Sequence, residues 1–151
     1  VHTQPCQVAE VLADLHIAYS QTARLNMATA TDLPTLQTDP QLVSIALNNL
    51  LDNALKYAPP HSPIHITAKR HTHQRQPGVL VTVSNTEGQA GRPDAQWVFK
   101  KYHRGTRAHS KSGSGLGLYL VHTVARLLGG WVRYAPTDQL VTFELWLPET
   151  R

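Results

Sequence analysis

One stretch of this chain, NNLLDNALKYA from Asn48 to Ala58, constrains it more than any other, because polar groups that are costly to order share a helix with an evident core stripe. Asp39 is a good N-cap and Pro40 suits the first helical position, so the spacing predicts a helix starting there. Val43, Leu47, Leu50, Leu51, Ala54, Leu55 and Ala58 recur at helical spacing and mark its buried side. Asn49, Asn53 and Lys56 stand at i, i+4 and i+7, so they stack along a different common face, within reach of a single ligand. Asparagine is only a middling helix former, and two of them beside a core stripe with a lysine one turn on point to binding. An amide oxygen can ligate Mg²⁺, and a lysine can meet a phosphate. The bland alternative is a partly solvated polar helix face.

The 151 residues suffice for one domain, 1–151, that buries roughly 70% of its unfolded surface in a single core. Its one cysteine, Cys6, excludes an internal disulfide and favours a cytosolic setting, with a buried inert thiol expected. The sequence has no apolar run of about 18 residues, so no membrane span or secretory leader is expected in it. A net charge of +4 suits anionic partners, a nucleotide as well as a nucleic acid.

Val8, Val11, Leu12, Leu15 and Tyr19 predict a helix over 5–22, and 24–29 and 33–38 read as two short paired strands. Pro59 and Pro60 close the central helix after Ala58. Ile64, Ile66 and Ala68, then Val79, Val81 and Val83, alternate with neighbours of the opposite face as in two strands joined by a hairpin loop over 71–78. Residues 84–94 read as a loop, followed by a short helix carrying Trp97, Val98 and Phe99. The stretch 100–112 has no core pattern and carries Lys100, Lys101, Arg104, Arg107 and Lys111; a long basic loop in a compact domain is usually functional or disordered. A helix follows with Leu120, Val121, Val124, Leu127 and Leu128 on its buried side, closed by Gly129 and Gly130, and 131–135 and 141–147 end the chain as a hairpin. Strands grouped in hairpins predict an α+β domain with one mixed or largely antiparallel sheet and helices over one face.

GSGLG, spanning Gly113, Ser114, Gly115, Leu116 and Gly117, sits where the basic stretch meets that helix. Glycines there let the backbone approach phosphate oxygens, and a helix N-terminus supplies amide donors and a favourable dipole. It is neither a P-loop nor a dinucleotide fingerprint. Taken in order, NLLDNALKY, VFKKYHRG and SGSGLGLYLV resemble the ATP-binding catalytic domain of bacterial sensor histidine kinases, in the wider group that includes gyrase and the mismatch-repair ATPases. The resemblance covers about Ala9 to Pro148. It implies the two-layer α/β sandwich of the Bergerat type, with ATP and Mg²⁺ as ligands. Asn53 would hold the metal, Asn49 would support the phosphate side, and Lys56 would contact a phosphate. Tyr57 would lie against the adenine. Phe99 would mark the lid, Arg104 and Lys101 would face the phosphates, and Gly113, Gly115 and Gly117 would shape the lid's far end. Asn53, Lys56 and Arg104 would carry the chemistry, which is positioning and charge screening. Hydrolysing relatives have a glutamate four residues before the metal asparagine; Asn49 is an amide and cannot be a base, which implies transfer rather than fast hydrolysis.

The chain departs from the family in SNTEGQAG, where Asn85 stands in place of the aspartate that accepts the adenine amino hydrogen. Its carbonyl can accept the same bond, but a neutral acceptor gives up about a kcal/mol, so weaker ATP binding is expected. Gly88 and Gly91 stand in for the loop glycines, and Glu87 or Asp94 are alternative acids. None of the nine histidines is followed by Asp or Glu, so the phosphoacceptor is expected on a separate dimerisation domain, with a response regulator as the next recipient. His71 and His73 read as solvated loop residues rather than a metal pair, His103 and His109 as solvent-facing or phosphate-adjacent, and Trp97, Trp131 and Trp146 as packing. The isolated domain is expected to be a monomer, the parent a homodimer, and the domain cytoplasmic with its parent in the bacterial inner membrane. The rivals are a degenerate regulatory module with weak or no ATP binding, a serine kinase of the anti-sigma type, and a nucleic-acid binder suggested only by the basic lid.

Overall fold

The computed structural model describes residues 1–20, 24–89, 91–96, 98–100 and 116–151. Among them run, in chain order, β1 (Gln4–Cys6), α1 (Val8–Ala18), β2 (Leu25–Thr29), β3 (Leu36–Thr38), α2 (Pro40–Tyr57), β4 (Ile64–Arg70), β5 (Gly78–Thr86), α3 (Gly117–Leu127), β6 (Trp131–Tyr134) and β7 (Leu140–Pro148). Five strands form a mixed sheet in the order β2-β4-β5-β7-β6, in which only the β2–β4 pair is parallel. The helices lie over one face, giving the expected two-layer α+β architecture.

Helix α2 begins as its sequence dictates. The Asp39 carboxylate accepts from the backbone N–H of Gln41 at 3.0 Å and of Leu42 at 3.3 Å, and Pro40 occupies the first turn. Asp39 also accepts from the His2 backbone N–H at 2.9 Å; that bond, reinforced by those from Leu42 and Gln41, holds its carboxyl below the usual range despite burial. Past Tyr57 the backbone turns extended at Ala58, and Pro59 ends the helix. Val43, Leu47, Leu50, Leu51 and Ala54 from α2 join Ile64, Ile66, Val81, Val83, Phe143 and Leu145 from the sheet and Val121, Val124 and Leu128 from α3 in one core. The β4–β5 hairpin is closed by a tight turn in which Gln74 and Arg75 take φ of 48° and 69° and His73 and Gln76 exchange backbone hydrogen bonds at 2.9 Å.

Five expectations need correction. The loop expected over 84–94 begins only after Thr86, because Ser84, Asn85 and Thr86 continue β5 beside β7. The segments at 24–29 and 33–38 are not a strand pair: β2 joins the main sheet beside β4, while β3 pairs antiparallel with β1, a strand that overlaps the start of the expected helix. The first helix is shorter than 5–22, running Val8–Ala18, because Pro5 lies within β1 opposite Gln37. Leu120 and Leu127 are 39% and 48% exposed; Val121, Val124 and Leu128 are buried as expected, and Ala125 completes the buried stripe. Of the short helix expected to carry Trp97, Val98 and Phe99, Val98 and Phe99 are turn structure with Val98 reaching the core, and Trp97 lies outside the described residues. Cys6 is buried as expected, and burial, then the carboxylates of Glu10 and Asp39, push its thiol pKa up. No helix among the described residues is long and apolar enough to cross a membrane.

Candidate functional site

Three parts of the fold carry the expected site residues: α2, the start of α3 beside Asn49, and the end of β5, whose following Gly88 meets the end of α2. On α2 itself, Asn49 uses its amide N–H to back-bond the Ile45 carbonyl at 2.8 Å. Its Oδ1 faces the start of α3, where a Cβ built on Gly117 would lie 3.3 Å away. A glycine at 117 therefore lets the two helices close on this amide. One turn further on, Asn53 Nδ2 is buried and among the described residues has no hydrogen-bond partner. A buried amide donor is costly to leave unpaired, so it marks the spot where a ligand oxygen would repay it. Lys56, in the last turn of α2, is half-buried.

The second part is the N-terminus of α3. Its N-cap is Leu116, which has no side-chain cap to offer, so the first amides of the helix depend on another acceptor. An anion placed there would gain from both the free donors and the dipole.

The third part is the outgoing end of β5. Asn85 is 1% exposed, paired across the sheet with Ile64 of β4 and Val141 of β7. Its Nδ2 donates to the Thr86 carbonyl at 2.7 Å. That carbonyl can only accept, so the amide orientation is fixed by chemistry, and Oδ1 is the atom left for a ligand's amino group. Gly88 follows close against the end of α2: its N–H donates to the Tyr57 carbonyl at 3.0 Å, and a Cβ on it would sit 2.6 Å from that oxygen. Tyr57, assigned to the adenine by resemblance, is only 5% exposed and packs largely as core, so little of its ring is left for a base to cover.

The alternative acids are occupied elsewhere. Glu87 pairs with Arg92 at 3.2 Å, and Asp94 accepts from the Gln96 backbone N–H at 2.9 Å. Of the two polar side chains buried at this end of β5, Ser84 is bonded to Thr142 at 3.1 Å, which leaves Asn85 as the candidate. Arg92 also reaches the carbonyls of Thr137 and Asp138 in the β6–β7 turn, and Tyr134 donates to the Pro93 carbonyl at 2.9 Å. The Tyr134 hydroxyl is pushed up mainly by burial; Arg92 opposes that, while Glu87, Tyr57 and Asp94 add to it, so these groups share one neighbourhood. Phe99 stacks on His122 of α3 with ring centroids 5.6 Å apart and meets Phe143 edge-on at 6.0 Å. Burial and then Arg126 lower the His122 pKa. Phe99 is therefore anchored to α3 and β7.

Lys101, Arg104, Gly113, Ser114 and Gly115 lie outside the described residues. Arg92, Tyr134 and His122 went unnoticed in the sequence; the one local hint was Glu87 and Arg92 flanking an irregular glycine loop. Among the described residues no three His, Cys, Asp or Glu side chains cluster as a metal site. His73 packs instead against Trp131 and Trp146, each at 5.2 Å, and the Trp146 indole N–H donates to the His71 carbonyl at 2.8 Å.

Comparison with known proteins yields consistent relatives. The model of the family described as histidine kinase-, DNA gyrase B-, and HSP90-like ATPase matches residues 38–151. The adaptive-response sensory kinase SasA of Synechococcus elongatus is 34% identical over 94% of the chain, which covers 36% of that protein. SasA of Synechocystis is 31% identical over the whole chain, covering 40% of that protein. The sensor histidine kinase HprS of Escherichia coli is 31% identical over 74% of the chain, covering 24% of its own. The chain thus spans well under half the length of these curated relatives. Among solved structures, the catalytic domain of histidine kinase ThkA superposes with a TM-score of 0.78 at 17% identity, over 99% of this chain and 97% of that one. Full-length ShkA in complex with AMPPNP gives 0.75 at 21% identity, over 98% and 32%. These two likenesses establish the fold.

Proposed function

The chain belongs to the histidine kinase-, DNA gyrase B- and HSP90-like ATPase family, and on that premise we propose that it is the Mg-ATP-binding catalytic domain of a sensor histidine kinase. Its kinship with sensor histidine kinases supports ATP binding in two-component signalling. In the finer reading, the domain transfers the γ-phosphoryl group of ATP to a histidine on the parent's own dimerisation domain, and an aspartate of a response regulator receives it next. The parent works as a homodimer at the inner membrane, with this domain on the cytoplasmic side.

Asn85 Oδ1 accepts from the adenine amino group, and Gly88 shapes the chain around the base. Asn53 and Lys56 face the phosphates from α2, Asn49 supports them beside Gly117, and Lys101, Arg104 and the stretch 113–117 enclose them from the lid. The Asn53 amide fits a Mg²⁺-phosphate ligand, since its oxygen suits the cation and its buried Nδ2 suits a phosphate oxygen. Bound there, the metal would screen the charge of the transferring phosphoryl group. The protein's own part is to orient the triphosphate and exclude water, and Asn49, an amide, leaves no base to activate water, which favours transfer over hydrolysis.

The observation that carries this reading is the buried amide nitrogen of Asn53, which has no partner among the described residues. Calorimetric titration of ATP with and without Mg²⁺ tests it. Binding of about −8 to −5 kcal/mol that requires Mg²⁺ and disappears in Asn53→Ala is expected. The neutral Asn85 favours a second reading, a regulatory module that has lost its nucleotide, and absence of heat at millimolar ATP would select it.

A further inference from the structure

The segment after Asn85 lacks the regular glycine loop of its family, yet the structure ties it down with a different device. The Arg92 guanidinium takes Glu87 Oε2 with Nε at 3.3 Å and with Nη2 at 3.2 Å. The same group donates from Nη1 to the Thr137 carbonyl at 2.8 Å and from Nη2 to the Asp138 carbonyl at 3.4 Å. One planar fork thus fastens Glu87 to the β6–β7 turn, a geometry a lysine head cannot reproduce. On either side, Gly88 N–H is held by the Tyr57 carbonyl and Pro93 O by the Tyr134 hydroxyl.

The link to the base runs through one peptide unit. Thr86 C=O, which fixes the Asn85 amide, is part of the rigid planar group joining Thr86 to Glu87. A displacement of Glu87 rotates that plane, moves the carbonyl, and turns Asn85 Oδ1 away from its ligand or frees the amide to flip. From this we infer that Arg92 is a positioning residue for base recognition: by clamping Glu87 to the β6–β7 turn it keeps Asn85 a fixed hydrogen-bond acceptor, selective for a purine with a 6-amino group. The inference rests on the reading above that Asn85 meets the base.

The test compares ATP with inosine triphosphate, which carries an oxo group where ATP has the amino group, and with inorganic tripolyphosphate, all with Mg²⁺. The titrations are run on wild type, Arg92→Ala and Arg92→Lys. Wild type should prefer ATP to inosine triphosphate by about tenfold, the worth of one hydrogen bond gained rather than two acceptors opposed. Both variants should lose most of that preference, weakening ATP by roughly five- to tenfold while tripolyphosphate changes less than about twofold. Arg92→Lys, which retains a cation beside Glu87, should do so with its unfolding midpoint near that of wild type. An unchanged preference in both variants would overturn the role of Arg92 while leaving ATP binding intact. A parallel loss of tripolyphosphate would likewise overturn it, by showing a general structural effect. Failure of wild type to bind any nucleotide would instead remove the reading of the site itself.

Discussion

Gly88→Ala isolates the approach of the loop to the end of α2. Gly88 does not take the left-handed φ that disfavours other residues, so the outcome depends on space alone. An added Cβ would stand 2.6 Å from the Tyr57 carbonyl oxygen, 3.0 Å from Pro59 N and 3.1 Å from Ala58 C. The first distance is roughly 0.8 Å short of ordinary contact, and all three neighbours are backbone that cannot rotate aside. The loop must therefore retreat, giving up the 3.0 Å bond from Gly88 N–H to Tyr57. Losing that bond costs about 0.5–1.5 kcal/mol and the overpacking about 1–3 kcal/mol, so a loss of roughly 2–4 kcal/mol is expected. At about 2–4 °C per kcal/mol for a chain of this size, the thermal midpoint should fall by roughly 4–16 °C. Circular dichroism melts, with urea unfolding to confirm an unchanged m-value, measure this. Gln89→Ala, at an exposed neighbour, is the control and should stay within about 0.5 kcal/mol. If the two variants melt together, the close approach is not what fixes this loop.

Asp39→Ala should cost about 1–2 kcal/mol at neutral pH, since one carboxylate caps α2 and holds His2. Because the folded-state pKa is depressed, that contribution is full above the usual carboxylate range and is lost as pH falls through the folded value; melts of wild type and variant should converge in acid. Asn85→Asp should lower stability by about 1–3 kcal/mol at neutral pH, because it opposes a buried carboxylate to the Thr86 carbonyl. Burial would raise that acid's pKa, so the deficit should shrink as pH is lowered, while ATP affinity, read by calorimetry, should rise. Trp146→Phe removes the indole donor to the His71 carbonyl and leaves space in a site 1% exposed, and chemical denaturation should show a loss of about 1–3 kcal/mol.

Helix α2 could be read before it was seen because every signal it needs is local: the Asp39–Pro40 start, the 3.6-residue stripe, and the Pro59 stop all act within a turn or two. The same holds for β4 and β5, whose alternation is long enough to count. The strands at 24–29 and 33–38 are legible as strands, but their pairing and β1 are not. Three residues carry no period, and β3 finds its partner in β1, with Gln4 opposite Thr38, a contact that depends on tertiary packing. On α3 the spacing finds Val121, Val124 and Leu128 but adds Leu120 and Leu127 at the edges of the stripe, because their hydrophobicity outweighs that of the smaller Ala125, which is buried. At the site, the asparagines, Lys56 and Gly117 were legible from helix geometry. Arg92 was not: a loop arginine normally means solvent, and the carbonyls it holds are 45 and 46 residues further along the chain.

The small ladder around β3 has a consequence for how the chain is wired. Gln37 is flanked by Pro5 on one side and by Thr150 on the other, with its N–H donated to Glu149 and its carbonyl taken by Arg151. The segment that enters α1 and the segment that leaves β7 therefore meet on the two edges of one short strand. Far apart along the sequence, these two pieces of chain are held by the same residue, so whatever loosens β3 loosens both together.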